Sequence, residues 1–202
     1  FNLDGILDLF FANGRVTRRD QPTASDPFAE HNLLLQGHFS DRVAEKTLAF
    51  DSVKTADGTT SPTPFTSRAA AFGDIDNDGD VDILVVNRDG PARLYRNLAS
   101  SPSGASRWIG FHLLNEQGSE ALGAKVTATL AWNDPDLEER LIQRTARASS
   151  SYLASNDPRI HIGLESPGLA KNVQVTWSDG ATESFGDLPS GTYHRLIRNE
   201  GL

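Results

Sequence analysis

The sequence predicts an all-β protein built from two units, and three observations carry that prediction. A loop of alternating aspartates, Asp74 to Asp82, runs straight into the apolar stretch Ile83-Leu84-Val85-Val86. The first residues of the chain repeat that loop and strand, with Asn2 falling on Asp76. Beyond a Ser-rich stretch, the composition turns to short alternating segments separated by turns that carry Asp, Asn and Gly.

The loop reads Phe72-Gly73-Asp74-Ile75-Asp76-Asn77-Asp78-Gly79-Asp80-Val81-Asp82. An extended strand would align these carboxylates on one face, where they would repel. A tight loop bent at Gly79 turns them inward on one point instead. Converging hard oxygens are what Ca²⁺ requires. The plainer alternative is a solvated acidic turn; the alternation, the glycine at the bend and the strand behind it favour calcium. Counted from Asp74 as position 1, the acids at 1, 3 and 5 and the glycine at 6 match the start of an EF-hand loop. An EF-hand needs a bidentate acid at position 12 and a helix after it. Here position 12 is Val85, inside a β-branched run that reads as a buried strand. The closing acid is Asp82, at position 9. The expected side-chain ligands are therefore Asp74, Asp76, Asp78 and Asp82, with Asp80 offering its backbone carbonyl.

The opening stretch Asn2 to Asn13 lies without gaps over Asp76 to Asn87. Asn2, Asp4 and Asp8 take ligand positions 3, 5 and 9, and Ile6 takes the place of Asp80. This is a degenerate second metal loop without its first ligand, and metal is not expected there. The sequence thus begins inside a repeat unit and reads as the C-terminal piece of a longer protein. Arg15 to Asp26 reads as a loop, and Ala56 to Ser67, rich in Thr, Ser and Pro, as a surface excursion. Glu30 to Gly37 and Pro91 to Asn97 are the next strands of the two copies. His31 and His38, flanking the first of these, read as ordinary surface or packing residues.

The chain has 202 residues, 38% hydrophobic and 23% charged, which suits one or two ordinary domains. A net charge of −8 makes nucleic acid and anionic membrane surfaces poor partners. No apolar run is long enough to span a bilayer as a helix, and the absence of cysteine excludes disulfides and thiol chemistry. The domain division is residues 1–98, a linker over 99–106, and residues 107–202. In the last unit, strands are expected at Trp108 to Leu114, Gly123 to Leu130 and Leu141 to Arg147, the last after a turn at Asn133 to Asp136. A hairpin turning at Asp179-Gly180 joins Val173–Trp177 to Thr182–Phe185, and Tyr193 to Arg198 closes the set. The pattern argues for an all-β sandwich or open barrel.

The Asp-x-Asp-x-Asp-Gly-x-x-Asp loop led by Phe72-Gly73 resembles the FG-GAP (VCBS-type) repeat. That resemblance implies partial β-propeller blades over residues 1–98, with calcium in a hairpin loop. Leu122 to Val126, Ser151 to Leu164 and Val173 to Gly180 resemble the ASPIC/UnbV domain, implying a sandwich-like module over 107–202. The order of the two is similar to that of cartilage-acidic-protein-like secreted proteins. It implies a secreted or cell-surface, calcium-binding, non-catalytic interaction or adhesion module, with an extracellular protein or glycan as partner. A signal peptide would lie upstream of the residues given.

An enzyme reading has one constellation to offer. Tyr152, Asp157, Arg159 and His161 fall within ten residues, a grouping that acid–base chemistry could use. Asn156-Asp157-Pro158 is also a turn, and Asp157 can pair with Arg159 across it. Structure is the first reading of this set, a recognition surface the second and catalysis the third. Two further expectations stand beside the interaction module. The chain is the accessory part of a larger secreted enzyme acting on polysaccharide, or it self-associates through exposed sheet edges as a filament subunit.

Overall fold

The computed structural model describes residues 1–18, 20, 25–40, 47–53, 63–99, 107–133, 138–149 and 151–202. The linker expected over 99–106 lies outside them except for Ala99, as do the turn at 133–136 except for Asn133 and the excursion at 56–67 up to residue 62. The chain is all-β, and among the described residues there is no helix.

Four sheets form. The first holds β1 (Leu9–Phe11), β2 (Leu33–Ser40) and β3 (Thr47–Ser52) in that order. The second holds β4 (Ser67–Gly73), β5 (Asp82–Asn87) and β6 (Arg93–Tyr95). All pairs within these two sheets are antiparallel. The duplication seen in the sequence reappears as duplicated geometry. Leu9 pairs with Leu35 and Phe10 with Leu34, as Ile83 pairs with Tyr95 and Leu84 with Leu94. Asn13 donates its amide to the His31 carbonyl at 2.9 Å, and its counterpart Asn87 donates to the Pro91 carbonyl at 2.8 Å. The Asp8 carboxylate accepts the Gly37 N–H at 2.9 Å, and Asp82 accepts the Asn97 N–H at 2.8 Å. These side chains lock each strand to the next one at both ends, which is why the same residue types recur there.

β5 departs from the buried strand expected of a β-branched run. Val85 is fully buried, but Leu84 and Val86 are exposed. The side of the sheet that carries Phe72 and Ile83 is met by the first sheet, with Phe10 edge-on to Phe72 at 6.3 Å. On the opposite side, Leu84, Val86 and Leu94 are exposed among the described residues. One-sided burial in an apolar strand is invisible to a pattern that counts only hydrophobicity.

The remaining strands make two sheets over one core. β7 (Trp108–Leu114) lies between β10 (Ile160–Gly163) and β13 (Tyr193–Ile197), antiparallel to the first and parallel to the second. The other sheet runs β12 (Thr182–Pro189), β11 (Gly168–Thr176), β8 (Lys125–Trp132), β9 (Arg140–Thr145). Ile109, Phe111 and Leu113 from β7 pack with Val126, Ala128 and Leu130 from β8, and with Val173 and Val175 from β11. Two sheets share an interior of alternating side chains, and among the described residues no closed barrel forms, in keeping with the sandwich or open barrel expected. The Asp179-Gly180 turn forms as expected, with Gly180 at φ +91° closing β11 onto β12. Because side chains alternate, the other face of β7 and β10 carries Trp108 and His161, which are thereby aimed away from this core.

Phe111 is fully buried at the centre of that core, whereas Leu141 on β9 is 73% exposed. Phe111→Ala is expected to cost about 3–5 kcal/mol in urea unfolding. Leu141→Ala is expected to stay within roughly 0.5 kcal/mol of the parent.

Candidate metal centre

Residues 74–81 leave β4 and return as β5 through a loop that turns twice into left-handed backbone, at Asn77 (φ +61°) and Gly79 (φ +91°). Asparagine and glycine are the residues that accept such geometry at least cost. The loop is held from inside by its own acids. Asp74 accepts the N–H of Asp78 at 3.2 Å on one oxygen and that of Gly79 at 2.9 Å on the other. Asp78 accepts the Asp80 N–H at 2.9 Å, and Asp82 accepts the Ile75 N–H at 3.2 Å. Asp74, Asp80 and Asp82 are buried, while Asp76 and Asp78 are more open to solvent.

Among the described residues, Asp74, Asp76 and Asp78 each present a carboxylate oxygen within 4.8 Å of the others. Two oxygens on opposite sides of one calcium ion are about 5 Å apart, twice a Ca–O distance, so this donor set fits the ion in chemistry and in span. Asp82 lies outside that trio. Both its oxygens accept backbone N–H bonds, though a carboxylate oxygen keeps a second lone pair for a metal. Burial raises the carboxyl of Asp78 above the usual range; the bond from the Asp80 N–H opposes this, and the charges of Asp76, Asp80 and Asp74 add to it. Arg96 from the end of β6 pairs with Asp76 and stands 3.6 Å from Asp78. It is the cation that partly offsets the crowded acids.

The first loop repeats the backbone without the charge. Leu3 (φ +62°) and Gly5 (φ +76°) stand where Asn77 and Gly79 do, and Asp4 accepts the Ile6 N–H at 2.8 Å as Asp78 accepts that of Asp80. Asn2 donates to Asp4 at 2.7 Å. Two carboxylates stand where the second loop has four.

Three of the four residues grouped as a recognition surface turn out to face the acidic loop. The Asp157 N–H donates to the Phe72 carbonyl at 2.9 Å, and the Phe72 N–H to the Asn156 side chain at 3.1 Å. Arg159 forks onto Asp157 (2.8 and 2.6 Å) and reaches the Asp74 carbonyl at 2.7 Å and the Asn77 side-chain oxygen at 2.5 Å. His161 Nε2 donates to the Gly79 carbonyl at 2.7 Å. Burial holds this imidazole below its usual range, against the opposing pull of that hydrogen bond. Tyr152, by contrast, is 74% exposed and takes no part. The sequence reading did not single out Trp108 and Tyr193 for the site. Their rings stand 4.9 Å apart, Trp108 stacks on His161 at 5.5 Å, and Arg159 lies 4.0 Å over the Tyr193 ring. The phenol of Tyr193 is pushed well up, first by burial and next by the charge of Asp74. A period-two alternation of aromatic and apolar residues around Trp108 and His161 was the available signal, since it puts both on the face opposite the core. His38 stands 3.7 Å from Asp51 on the surface, away from the loop.

With this geometry in place, comparison with known proteins adds one result. Residues 115–201 match the model of the ASPIC and UnbV family. No curated protein matches the chain.

Gly79 is the tightest point of the site. A Cβ there would stand 1.9 Å from Trp108 Nε1, and the backbone is left-handed. Gly79→Ala is expected to lower stability by roughly 2 kcal/mol or more, read as a shifted urea midpoint.

Proposed function

We propose that this chain, whose residues 115–201 carry an ASPIC and UnbV domain, is an extracellular, non-catalytic interaction or assembly module stiffened by calcium. The ion would be held by Asp74, Asp76, Asp78 and Asp82, with the Asp80 carbonyl. The observation that carries this reading is the convergence of three carboxylates on a loop whose backbone is already folded around them. When bound, calcium supplies the charge that lets these acids stay close, so its binding energy becomes folding energy. The chain's own residues do the rest: Asp74 staples the loop across its own bend, Asp82 ties it to Asn97 beyond β6, and Asn77 and Gly79 provide the turns.

Reading the first two sheets as adjacent propeller blades is supported by their repeated frame and by how they meet. Phe10 and Leu34 of one and Phe72 and Ile83 of the other line a shared cavity of about 310 Å³. By the pairing register, Leu9 and Phe11 are the counterparts of Ile83 and Val85, and Leu84 and Leu94 those of Phe10 and Leu34. All four of these counterparts are exposed. In a stacked array, those two faces are where further sheets would sit. The same faces favour a second reading, self-association of the chain, which sedimentation over a range of concentrations would reveal as a growing mass. The non-catalytic reading is supported by the engagement of Arg159 and His161 with backbone carbonyls of the loop. The protein or glycan that such a module would bind is the next object of search.

Thermal melts test the calcium reading. Calcium is expected to raise the melting temperature of the parent, and EDTA to abolish the gain. Asp78→Ala is expected to melt lower than the parent in calcium and to be indifferent to EDTA. Equal EDTA sensitivity in the two would remove this loop as the important site.

A further inference from the structure

We infer that Arg159 and His161 are positioning residues for the cation loop, so that cation affinity and the docking of the C-terminal sheets onto the second sheet form one linked equilibrium. This rests on the calcium reading of the loop given above. The observation behind it is where these two side chains attach. Arg159 holds the carbonyl of Asp74 and the side chain of Asn77, and His161 holds the carbonyl of Gly79. Asp78 sits between Asn77 and Gly79, so the third of the converging carboxylates is flanked by a side chain held on one side and a backbone carbonyl held on the other. Asp74 carries the first, and its own peptide is clamped.

None of these clamps uses a carboxylate of the converging trio. The arginine's fork is taken by Asp157, whose hydrogen bond is the largest influence on the guanidinium and holds it firmly charged. The pair is close to neutral, so it can aim the loop without competing for the oxygens a cation would take. Outer partners of this kind, which orient ligands rather than ligate, commonly set metal affinity over 10–100-fold. Trp108 closes the loop from the same side, packed so tightly on Gly79 that a methyl group would not fit. The bonds of Asn156 and Asp157 to both backbone groups of Phe72 continue the contact along β4. A loop tied this way cannot open without loosening β10. Reciprocity then requires that whatever holds the loop closed also holds the C-terminal sheets in place.

The competing explanation is that Arg159 acts only as a positive charge beside five acids. Two substitutions separate the cases. Lysine keeps the charge and loses the fork; glutamine loses the charge. Calorimetric titration of calcium into the full chain is the measurement, with far-UV circular dichroism of each variant as the check of fold. Arg159→Gln and Arg159→Lys are both expected to bind about tenfold more weakly than the parent. His161→Leu is expected to weaken similarly, while His161→Gln, whose amide nitrogen can still donate to the Gly79 carbonyl, keeps the parent's affinity. Should Arg159→Gln fail to fold, Asn77→Gly carries the same expectation, because it keeps the left-handed backbone and removes the arginine's acceptor. Parent-like binding by Arg159→Lys with tighter binding by Arg159→Gln would show a pure charge effect and overturn the proposal. Equal affinity in all the variants would overturn it too. Absence of binding by the parent would overturn the calcium reading itself, a distinct result, and the positioning role with it.

Discussion

Five carboxylates within nine residues repel one another, and the structure depends on how that repulsion is contained. Asp74, Asp78 and Asp82 each accept backbone N–H groups of the loop, so the loop becomes the hinge of its own hairpin rather than a solvated bulge. Backbone bonds orient the carboxylates but do not cancel their charge. Arg96 offsets part of it from the side of β6. The remainder is what a divalent cation would neutralise, and it is the physical reason for treating the loop as a metal site rather than as an acidic turn.

Containment comes from outside as well. The C-terminal sheets offer the loop a face made of Trp108, His161, Tyr193 and the Asp157–Arg159 pair. The alternation of strand side chains explains how one element serves two purposes. Ile109, Phe111 and Leu113 of β7 fill a core, while Trp108, two positions back from Gly110, looks the other way and meets Gly79. The two halves of the chain are therefore not independent beads. The loop that carries the charge is part of the surface on which the second half rests.

Much of this was legible in the sequence, and the limits of the reading have physical causes. The acidic loop, the strand behind it and the internal duplication were carried by local spacing, which survives without tertiary information. So was the Asp179-Gly180 hairpin. The burial of β5 was overread, because an apolar run states what could be buried and not whether a neighbour arrives to cover both sides. Strand β10 escaped separate notice because Ile160 to Gly163 is short and alternates with His161. The pairing of Asp157 with Arg159 was legible as a contact across the turn, but the engagement of Arg159 and His161 with the loop was not. Their partners in the loop lie some 80 residues earlier, as in the pairing of His161 with Gly79, and contact at that separation leaves no local pattern. Asn13 and Asn87 are the intermediate case: the duplication marked them as equivalent, and the structure supplied the reason, a strand-to-strand lock made twice.

The central claim is that a cation in the Asp74–Asp82 loop and the packing of the C-terminal sheets stabilise each other. Amide hydrogen exchange of the full chain, compared in calcium and in chelator, tests it most directly. The account predicts slower exchange in calcium at Asp78, Gly79 and Asp80, and together with it along Ile160–Gly163 of β10. Protection confined to the loop, or no change in either segment, would contradict it.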